Sequence, residues 1–320
     1  SVGRMRSALL ATFSVLSLSF ACAGQAPPAS PAAGQEPGST PATVSAAPAA
    51  ADSPEPTTDG KTRFTFVLPK PGSERVDRES FVLGLEITMT EGAKVIATEK
   101  SGEGKSKLRH TTVMANDGRA ITKKKVRYEE LNQIVKKGDR EQRIPSPLTG
   151  KSYVISLEQG KVLITAADGK AVSDVEREAL LEDNKEFGKP PQFASFVPKH
   201  PLAPGEKFTP PKEVLAEMFG AGDGAGDKSY GDVEFTFVGA EERAGKKVGK
   251  FEFTMTITDS RQGATTTIQA KGAVLLLLDS GWPLELVLRG QVTVSAPGDK
   301  PKRKVAGKGL LEMKIAAEYR

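Results

Sequence analysis

The sequence predicts an α+β protein that is mainly β, with a long-stranded, strongly curved antiparallel sheet or partial barrel and two short helices. Five consecutive segments between Asp232 and Tyr319 carry apolar residues at every second position, the period of a half-buried strand. One of them, Pro283 to Ala296, is about 14 residues long, and strands of that length twist and coil. A capping box that begins at Ser173 predicts a helix between two groups of strands.

The composition excludes several classes of function. The chain has 320 residues, a net charge of +5, one cysteine and two histidines, His110 and His200. Lysines interleave with acidic residues and no nucleic-acid-binding motif is present, so we expect a solvated surface and no nucleic-acid partner. Two isolated histidines do not make a metal cluster or most nucleophilic triads. We therefore predict no catalytic residue, no cofactor and no enzyme activity; an envelope hydrolase is the least favoured hypothesis.

The N-terminal residues indicate export. Arg4 and Arg6 precede an uncharged run from Ser7 to Ala21, which is too short to span a bilayer but fits the apolar region of a secretory signal. Residues 1–21 are therefore predicted to be a signal peptide. The run ends at Cys22, the single cysteine, so no disulfide is expected within a monomer.

The run Leu18-Ser19-Phe20-Ala21-Cys22 resembles the lipobox of bacterial lipoproteins. The resemblance implies cleavage before Cys22 and a lipid anchor on its thiol, although Ser19 and Phe20 depart from the family's preferred residues. Ala23 and Gly24 follow, and the absence of Asp there favours the outer membrane by analogy with enteric sorting. The implied location is the bacterial cell envelope, periplasmic or surface-facing. The alternative is a secretory signal with an incidental cysteine.

Residues 22–60 predict a disordered tether. Ala23 to Gly60 is rich in Ala, Pro, Ser and Thr, contains no aromatic residue, and has Val44 as its one branched aliphatic side chain. Such a segment buries too little apolar surface to offset the entropy of ordering. Extended, it reaches on the order of 100 Å. It would hold the folded part of the chain away from a membrane.

Residues 61–320 are predicted to form a single β-rich domain in two halves, 61–172 and 230–320, joined by a helical and Pro-rich segment, 173–229. The first half contains segments with strand-like alternation: Phe64 to Leu68, Phe81 to Met89, a hairpin from Lys94 to Met114 that turns at Ser101 to Lys105, a strand with an irregular end from Ile121 to Val135, and a hairpin from Tyr153 to Ile164.

The joining segment predicts two helices and a loop. Ser173 and Glu176 form the capping box of the first helix, and Thr209 caps a second helix that ends before Gly220. The glycine-rich loop that follows carries Asp223 and Asp227, which are weak candidates for a metal site. Because the loop lacks the ligand spacing of an EF-hand, a flexible connector is favoured there.

The most apolar hairpin predicts where a ligand could bind. Four consecutive leucines, Leu275 to Leu278, must point to both sides of a strand, so both faces of the sheet should be covered there. Each fully buried leucine contributes roughly 1.5–3 kcal/mol, so a helix, a second sheet or a lipid is expected to cover them. The candidate apolar ligand face consists of Leu275, Leu277, Leu284, Leu286 and Leu288.

The order of elements also carries a resemblance. The run Gly150 to Val154, then Asp168 to Val172, a helix, and Pro204 to Phe208 resembles bacterial periplasmic or surface lipoproteins, and the architecture is similar to the LolA/LolB lipoprotein carriers. The leading hypothesis is a non-enzymatic, lipid-anchored envelope protein that binds an apolar ligand or lipid in the concave face of the sheet, because apolar residues occupy both faces of one strand. The alternative is a structural or protein-interaction module in which the leucines pack against the two helices.

Overall fold

A computed structural model describes residues 60–320, apart from 192, 212–213, 215–226, 232, 262 and 299. The predicted signal peptide, Cys22 and the tether up to residue 59 lie outside the described residues. So do most of the predicted second helix and Asp223.

Most of the described chain is strand. The thirteen strands are β1 (Glu74–Glu91), β2 (Lys94–Asn116), β3 (Ile121–Lys137), β4 (Arg140–Pro145), β5 (Ser152–Glu158), β6 (Lys161–Ala166), β7 (Lys207–Phe208), β8 (Asp227–Tyr230), β9 (Glu234–Arg243), β10 (Lys246–Arg261), β11 (Ala264–Leu277), β12 (Pro283–Pro297) and β13 (Arg303–Tyr319). Two helices lie wholly within the described ranges, α1 (Asp174–Asp183) and α2 (Phe193–Phe196).

All strands belong to one antiparallel sheet. Its order is β6-β5-β3-β2-β1-β13-β12-β11-β10-β9-β7, with β4 paired to β3 and β8 paired to β10. Over the part of the chain that the structure describes, β6 and β7 do not pair with each other, so the sheet is open. The predicted fold class is confirmed: a mainly β protein with a long-stranded, strongly curved antiparallel sheet and two helices.

The predicted meander is confirmed as β9 to β13. Its central hairpin turns between β11 and β12, where the amide of Gly281 donates to the carbonyl of Leu277 at 2.8 Å. Gly281 has φ +68, and a Cβ there would lie 2.9 Å from Val197 and 3.0 Å from the Thr65 carbonyl. Glycine therefore allows both the turn and the close packing of other segments against it.

The predicted hairpin between Lys94 and Met114 is wrong, because β2 is one continuous strand of 23 residues. The glycines that suggested a turn have another role. A Cβ at Gly102 would lie 2.6 Å from the Leu83 carbonyl oxygen, and one at Gly104 would lie 2.5 Å from that of Phe81. These two glycines allow β2 to approach β1 closely, so they favour the strand pair rather than a turn.

The segment from Phe64 to Leu68 does not form the predicted strand. It runs along the β11–β12 turn, where the amides of Thr65 and Val67 donate to the carbonyls of Leu278 and Ser280 at 3.1 and 3.2 Å. These hydrogen bonds fall at a turn, so no ladder forms. The segment instead covers the end of the hairpin.

The capping box of α1 is confirmed. The Ser173 hydroxyl accepts from the Glu176 amide, and the Glu176 carboxylate accepts from the Ser173 amide at 2.8 Å. The one-turn α2 was not predicted as a helix. Of the predicted helix after Thr209, Val214 is described and is helical. Within the described ranges, no helix has the length and apolarity needed to cross a membrane.

Two apolar cores lie on one side of the sheet, which we call the inner face: the face that carries Leu83, Phe251 and Leu288. The first core covers β9 to β13 and β1 and includes Phe196 of α2. The second lies beneath α1, where Leu180 packs with residues of β3, β5 and β6. The two predicted halves share the sheet through the β1–β13 pair, and β1 contributes to the first core.

Candidate functional site

The five leucines of the predicted ligand face are divided between two clusters. Leu286 and Leu288 belong to the first core on the inner face. Leu275 and Leu277 alternate with inner-face residues of β11, so they point to the opposite, outer face, and they pack with Leu284. The leucines therefore do not form one continuous surface.

A change of register explains why Leu284 leaves its predicted neighbours. Leu275 pairs with Glu285, but the next residue, Leu276, pairs with Pro283. Leu284 is the extra residue of a β-bulge, and a bulged residue departs from strict alternation. Its side chain consequently joins Leu275 and Leu277 instead of Leu286.

The inner face over β9 to β12 is filled by the protein's own side chains. Phe196 is fully buried and lies 5.0 Å, ring centre to ring centre, from Phe235. Phe64 lies 5.3 Å from Phe251, and it approaches so closely that a Cβ at Gly249 would collide with its ring. The expected apolar cleft at Leu286 and its neighbours is thus a packed core. The first core is covered by α2 and by the segment from Phe64 to Leu68. The helix α1 was expected to contribute to this cover, but it covers the second core instead.

An open cavity lies next to this packed region, between the two cores. Its volume is about 760 Å³, and its walls come from β1, β2, β3, β13 and the α1 region. One wall is apolar and contains Phe81, Trp282, Met313 and Ile315. Phe81, Trp282 and Ile315 are only partly buried, in contrast to the closed core beside them. The cavity is the candidate binding site.

The part of the cavity wall next to this apolar part is charged. Three cationic side chains of β2, Lys105, Lys107 and Arg109, are in register with inner-face residues of β1, so they point to the same side of the sheet. The Lys107 amine lies 2.7 Å from Glu79 and 3.4 Å from Asp183. These contacts fix the charged wall to the C-terminal end of α1.

Arg109 bridges two carboxylates. One nitrogen of its guanidinium lies 3.0 Å from Asp77 and another lies 2.9 Å from Asp183. The Tyr128 hydroxyl donates to Asp183 at 2.7 Å. Asp183 therefore forms ion pairs with side chains of β2 and accepts a hydrogen bond from a side chain of β3. Arg109 retains one buried donor, its Nε, which has no hydrogen-bond partner among the residues that the structure describes.

The environment shifts the pKa of the acidic groups in opposite senses. Burial by itself raises the pKa of Asp77, but the charges of Arg75 and Arg109 outweigh it and hold that pKa at about 2. Burial opposes ionisation of Asp183 as well, and Arg109 and Lys107 hold its pKa well below the usual range. Glu103, which also lines the cavity, has its pKa raised by burial.

Two lysines of the cavity have no carboxylate within ion-pair distance in the described part of the chain. Among the described residues, neither Lys105 nor Lys124 forms an ion pair; the Lys124 amine lies 5.2 Å from the ring centre of Phe187. Burial, with a smaller contribution from the charge of Arg109, lowers the pKa of Lys124 to about 7. Burial and the neighbouring Lys107 also lower the pKa of Lys105. Lys105 remains accessible to solvent through the cavity.

The metal site at Asp223 and Asp227 stays a prediction. Asp223 lies outside the described residues, and Asp227 begins β8, whose side chains are not described. In the described portion of the chain, no group of three or more His, Cys, Asp or Glu side chains is placed to hold a metal ion.

Sequence reasoning missed the charged wall of the cavity. A signal was present, because Glu103, Lys105, Lys107 and Arg109 occupy every second position, the spacing of one strand face. The predicted turn at Ser101 to Lys105 interrupted that pattern. The link to α1 could not be found this way, because Asp183 is 74 residues from Arg109 in the sequence.

Comparisons with known proteins add little to this description. No family model matches the chain, and no curated protein matches it. Among solved structures, the chain is similar to one described as lipid–protein interactions in lipovitellin, with 7% identity and a TM-score of 0.35. The match covers 78% of this chain and 26% of that one, so the chain spans about a quarter of its length. A likeness at this level carries no argument about function.

Proposed function

We propose that this is a non-enzymatic, lipid-anchored protein of the bacterial cell envelope that binds a lipid or another ligand with an apolar tail. The single observation that carries the proposal is the cavity of about 760 Å³ with partly exposed Phe81, Trp282 and Ile315 on one wall. Its volume lies within the roughly 300–1,000 Å³ that is typical of small-ligand sites.

The position of the cavity supports ligand binding over simple packing. Met313 and Ile315 lie on the inner face of β13 and Phe81 lies on that of β1; Phe81 and Ile315 are partly buried and pack against the first core. Partly exposed apolar side chains in a concave site gain free energy when a ligand removes them from water, at roughly 25 cal/mol per Å². A lipid chain is the kind of ligand that such a wall accommodates.

The proposed location follows from the sequence. An uncharged run that ends at Cys22, followed by a low-complexity tether, is the arrangement expected for a lipid anchor on a long spacer. A tether with a reach on the order of 100 Å would let the cavity meet ligands away from the membrane surface. The outer membrane is the proposed site of anchoring.

A second candidate is a structural or protein-interaction module of the envelope. The observation that favours it is the closed inner face over β9 to β12, where Leu286 and Leu288 are buried by the protein's own side chains. Under this alternative the cavity would hold only water. Occupancy of the cavity distinguishes the two functions.

The test uses the full chain, extracted from membranes with a mild detergent. Native mass spectrometry should find a bound amphiphile, and the intact mass should report acylation at Cys22, which a Cys22→Ser variant should lose. The neutral fluorescent probe N-phenylnaphthylamine should bind the delipidated protein. An Ile315→Trp variant, which narrows the cavity, should weaken that binding at least about fivefold, a change of about 1 kcal/mol.

The matched control is Leu310→Trp, because Leu310 is 65% exposed on β13. It should leave probe binding unchanged. Protein that is free of ligand and also fails to bind the probe would overturn the carrier proposal and favour the interaction module.

A further inference from the structure

Four of the cations that line the cavity differ in whether they form ion pairs with carboxylates. Lys107 and Arg109 are held by carboxylates of Glu79, Asp77 and Asp183. Lys105 and Lys124 form no ion pair with any described residue. Burial and the charge of Lys107 disfavour the ammonium form of Lys105, and the carboxylates of Asp183 and Glu79 compensate only in part, since the pKa of Lys105 stays lowered. This wall can therefore accept an external anion.

Lys105 lies beside the apolar wall rather than apart from it. In the ladder between β1 and β2 it pairs directly with Phe81, and Phe81 in turn pairs with Met313 of β13. Paired residues of neighbouring strands point to the same side, about 4.8 Å apart. The inner face thus changes from cationic to apolar across three adjacent strands.

The same row continues on both sides. Gln133 of β3 pairs with Lys105, and Leu288 of β12 pairs with Met313. Polarity therefore decreases in one direction, from an amide and an ammonium group to an aromatic ring, a thioether and an aliphatic core. A molecule with a charged head and an apolar tail matches such a gradient; a uniformly apolar ligand would leave Lys105 desolvated without compensation.

Resting on the function proposed above, we infer that the ligand is an anionic amphiphile, whose carboxylate or phosphate head lies at Lys105 and whose tail lies on Phe81, Met313 and Ile315. The lowered pKa of Lys105 is consistent with this placement, since an anion would restore the ammonium form. Lys124 is a second cation of the cavity lining, on β3.

The experiment measures displacement of N-phenylnaphthylamine from the delipidated full chain by four ligands with the same tail: dodecanoate, dodecyl phosphate, dodecanol and dodecylphosphocholine. At least one of the two anions should bind roughly tenfold more tightly than dodecanol, as expected for a charge-assisted contact. Comparing the two anions distinguishes a carboxylate from a phosphate head. Equal binding of anions and dodecanol, or preference for the zwitterion, would overturn the inference.

Variants locate the head group. Lys105→Gln should lose about tenfold in affinity for the preferred anion and less than about twofold for dodecanol. The matched control is Lys271→Gln, because Lys271 is an exposed lysine of β11 outside the cavity; it should change neither affinity. If Lys105→Gln weakens both ligands equally, the head group does not lie at Lys105. If no ligand displaces the probe, or the probe does not bind, the proposed function fails instead of this inference alone.

Discussion

Arg109 and Asp183 form an ion pair of 2.9 Å that joins β2 to the last residue of α1. The pair lies between the two apolar cores and on the wall of the cavity. The side chains are 16% and 11% exposed, so water screens the interaction weakly. The position of α1 over the sheet therefore depends on charge as well as on apolar packing beneath the helix.

Removing one partner of this network should destabilise the protein strongly. Asp183→Ala leaves Arg109 and Lys107 with less compensation in a buried site, and such losses cost about 3–5 kcal/mol. Urea unfolding monitored by fluorescence and circular dichroism would measure the free energy of unfolding. The control is Asp168→Ala, whose ion pair with Lys170 is exposed to solvent and should leave the free energy of unfolding almost unchanged. Equal effects of the two substitutions would contradict the structural role of Asp183.

Acid should remove the contribution of Asp77. Its pKa is about 2 in the folded protein, against about 3.9 for an unfolded aspartate, so the folded state binds the proton less tightly. The resulting stabilisation, on the order of 2 kcal/mol, is fully present above pH ~4 and is lost as pH falls through ~2. Urea unfolding between pH 5 and pH 2 would measure it. A free energy of unfolding that stays constant over this range would contradict the assigned environment of Asp77.

The close approach of β1 and β2 should make Gly102 intolerant of substitution. Gly102→Ala places a Cβ 2.6 Å from the Leu83 carbonyl oxygen, and we expect a loss of about 1–3 kcal/mol. Its ladder partner, Gly84, has no atom within 4 Å of a Cβ position, so Gly84→Ala is the matched control and should change stability by less than about 0.5 kcal/mol. Thermal and urea unfolding of both variants would measure the change in stability that each substitution causes. A neutral Gly102→Ala would mean that these strands are farther apart.

Phe196 should be essential for the closed part of the inner face. Its ring is fully buried against Phe235, and we expect Phe196→Ala to cost about 3–5 kcal/mol. The variant should also gain binding of N-phenylnaphthylamine, because loss of the ring would open an apolar void in the first core. Leu310→Ala, at a residue that is 65% exposed, should leave both stability and probe binding unchanged. A mild loss of stability in Phe196→Ala would indicate that α2 does not seal this face.

Local patterns were sufficient where a segment's neighbours in sequence are also its neighbours in space. The alternation from Phe251 to Ile257 predicted β10, and the Ser173 capping box predicted the start of α1, because period and cap chemistry depend on residues a few positions apart. The fold class followed from the same periodicity. The leucine run also indicated correctly that both faces of β11 are covered.

The candidate site required the tertiary structure. The sequence by itself determined that β2 carries a charge at every second position, and that Phe81 lies on an apolar strand face. Only strand register placed Lys105 beside Phe81, and only the return of α1 brought Asp183 to Arg109. A bulge at Leu284 likewise divided the predicted leucine face. Register and long-range packing depend on the free energy of the whole sheet, since shifting a strand by one residue exchanges its two faces.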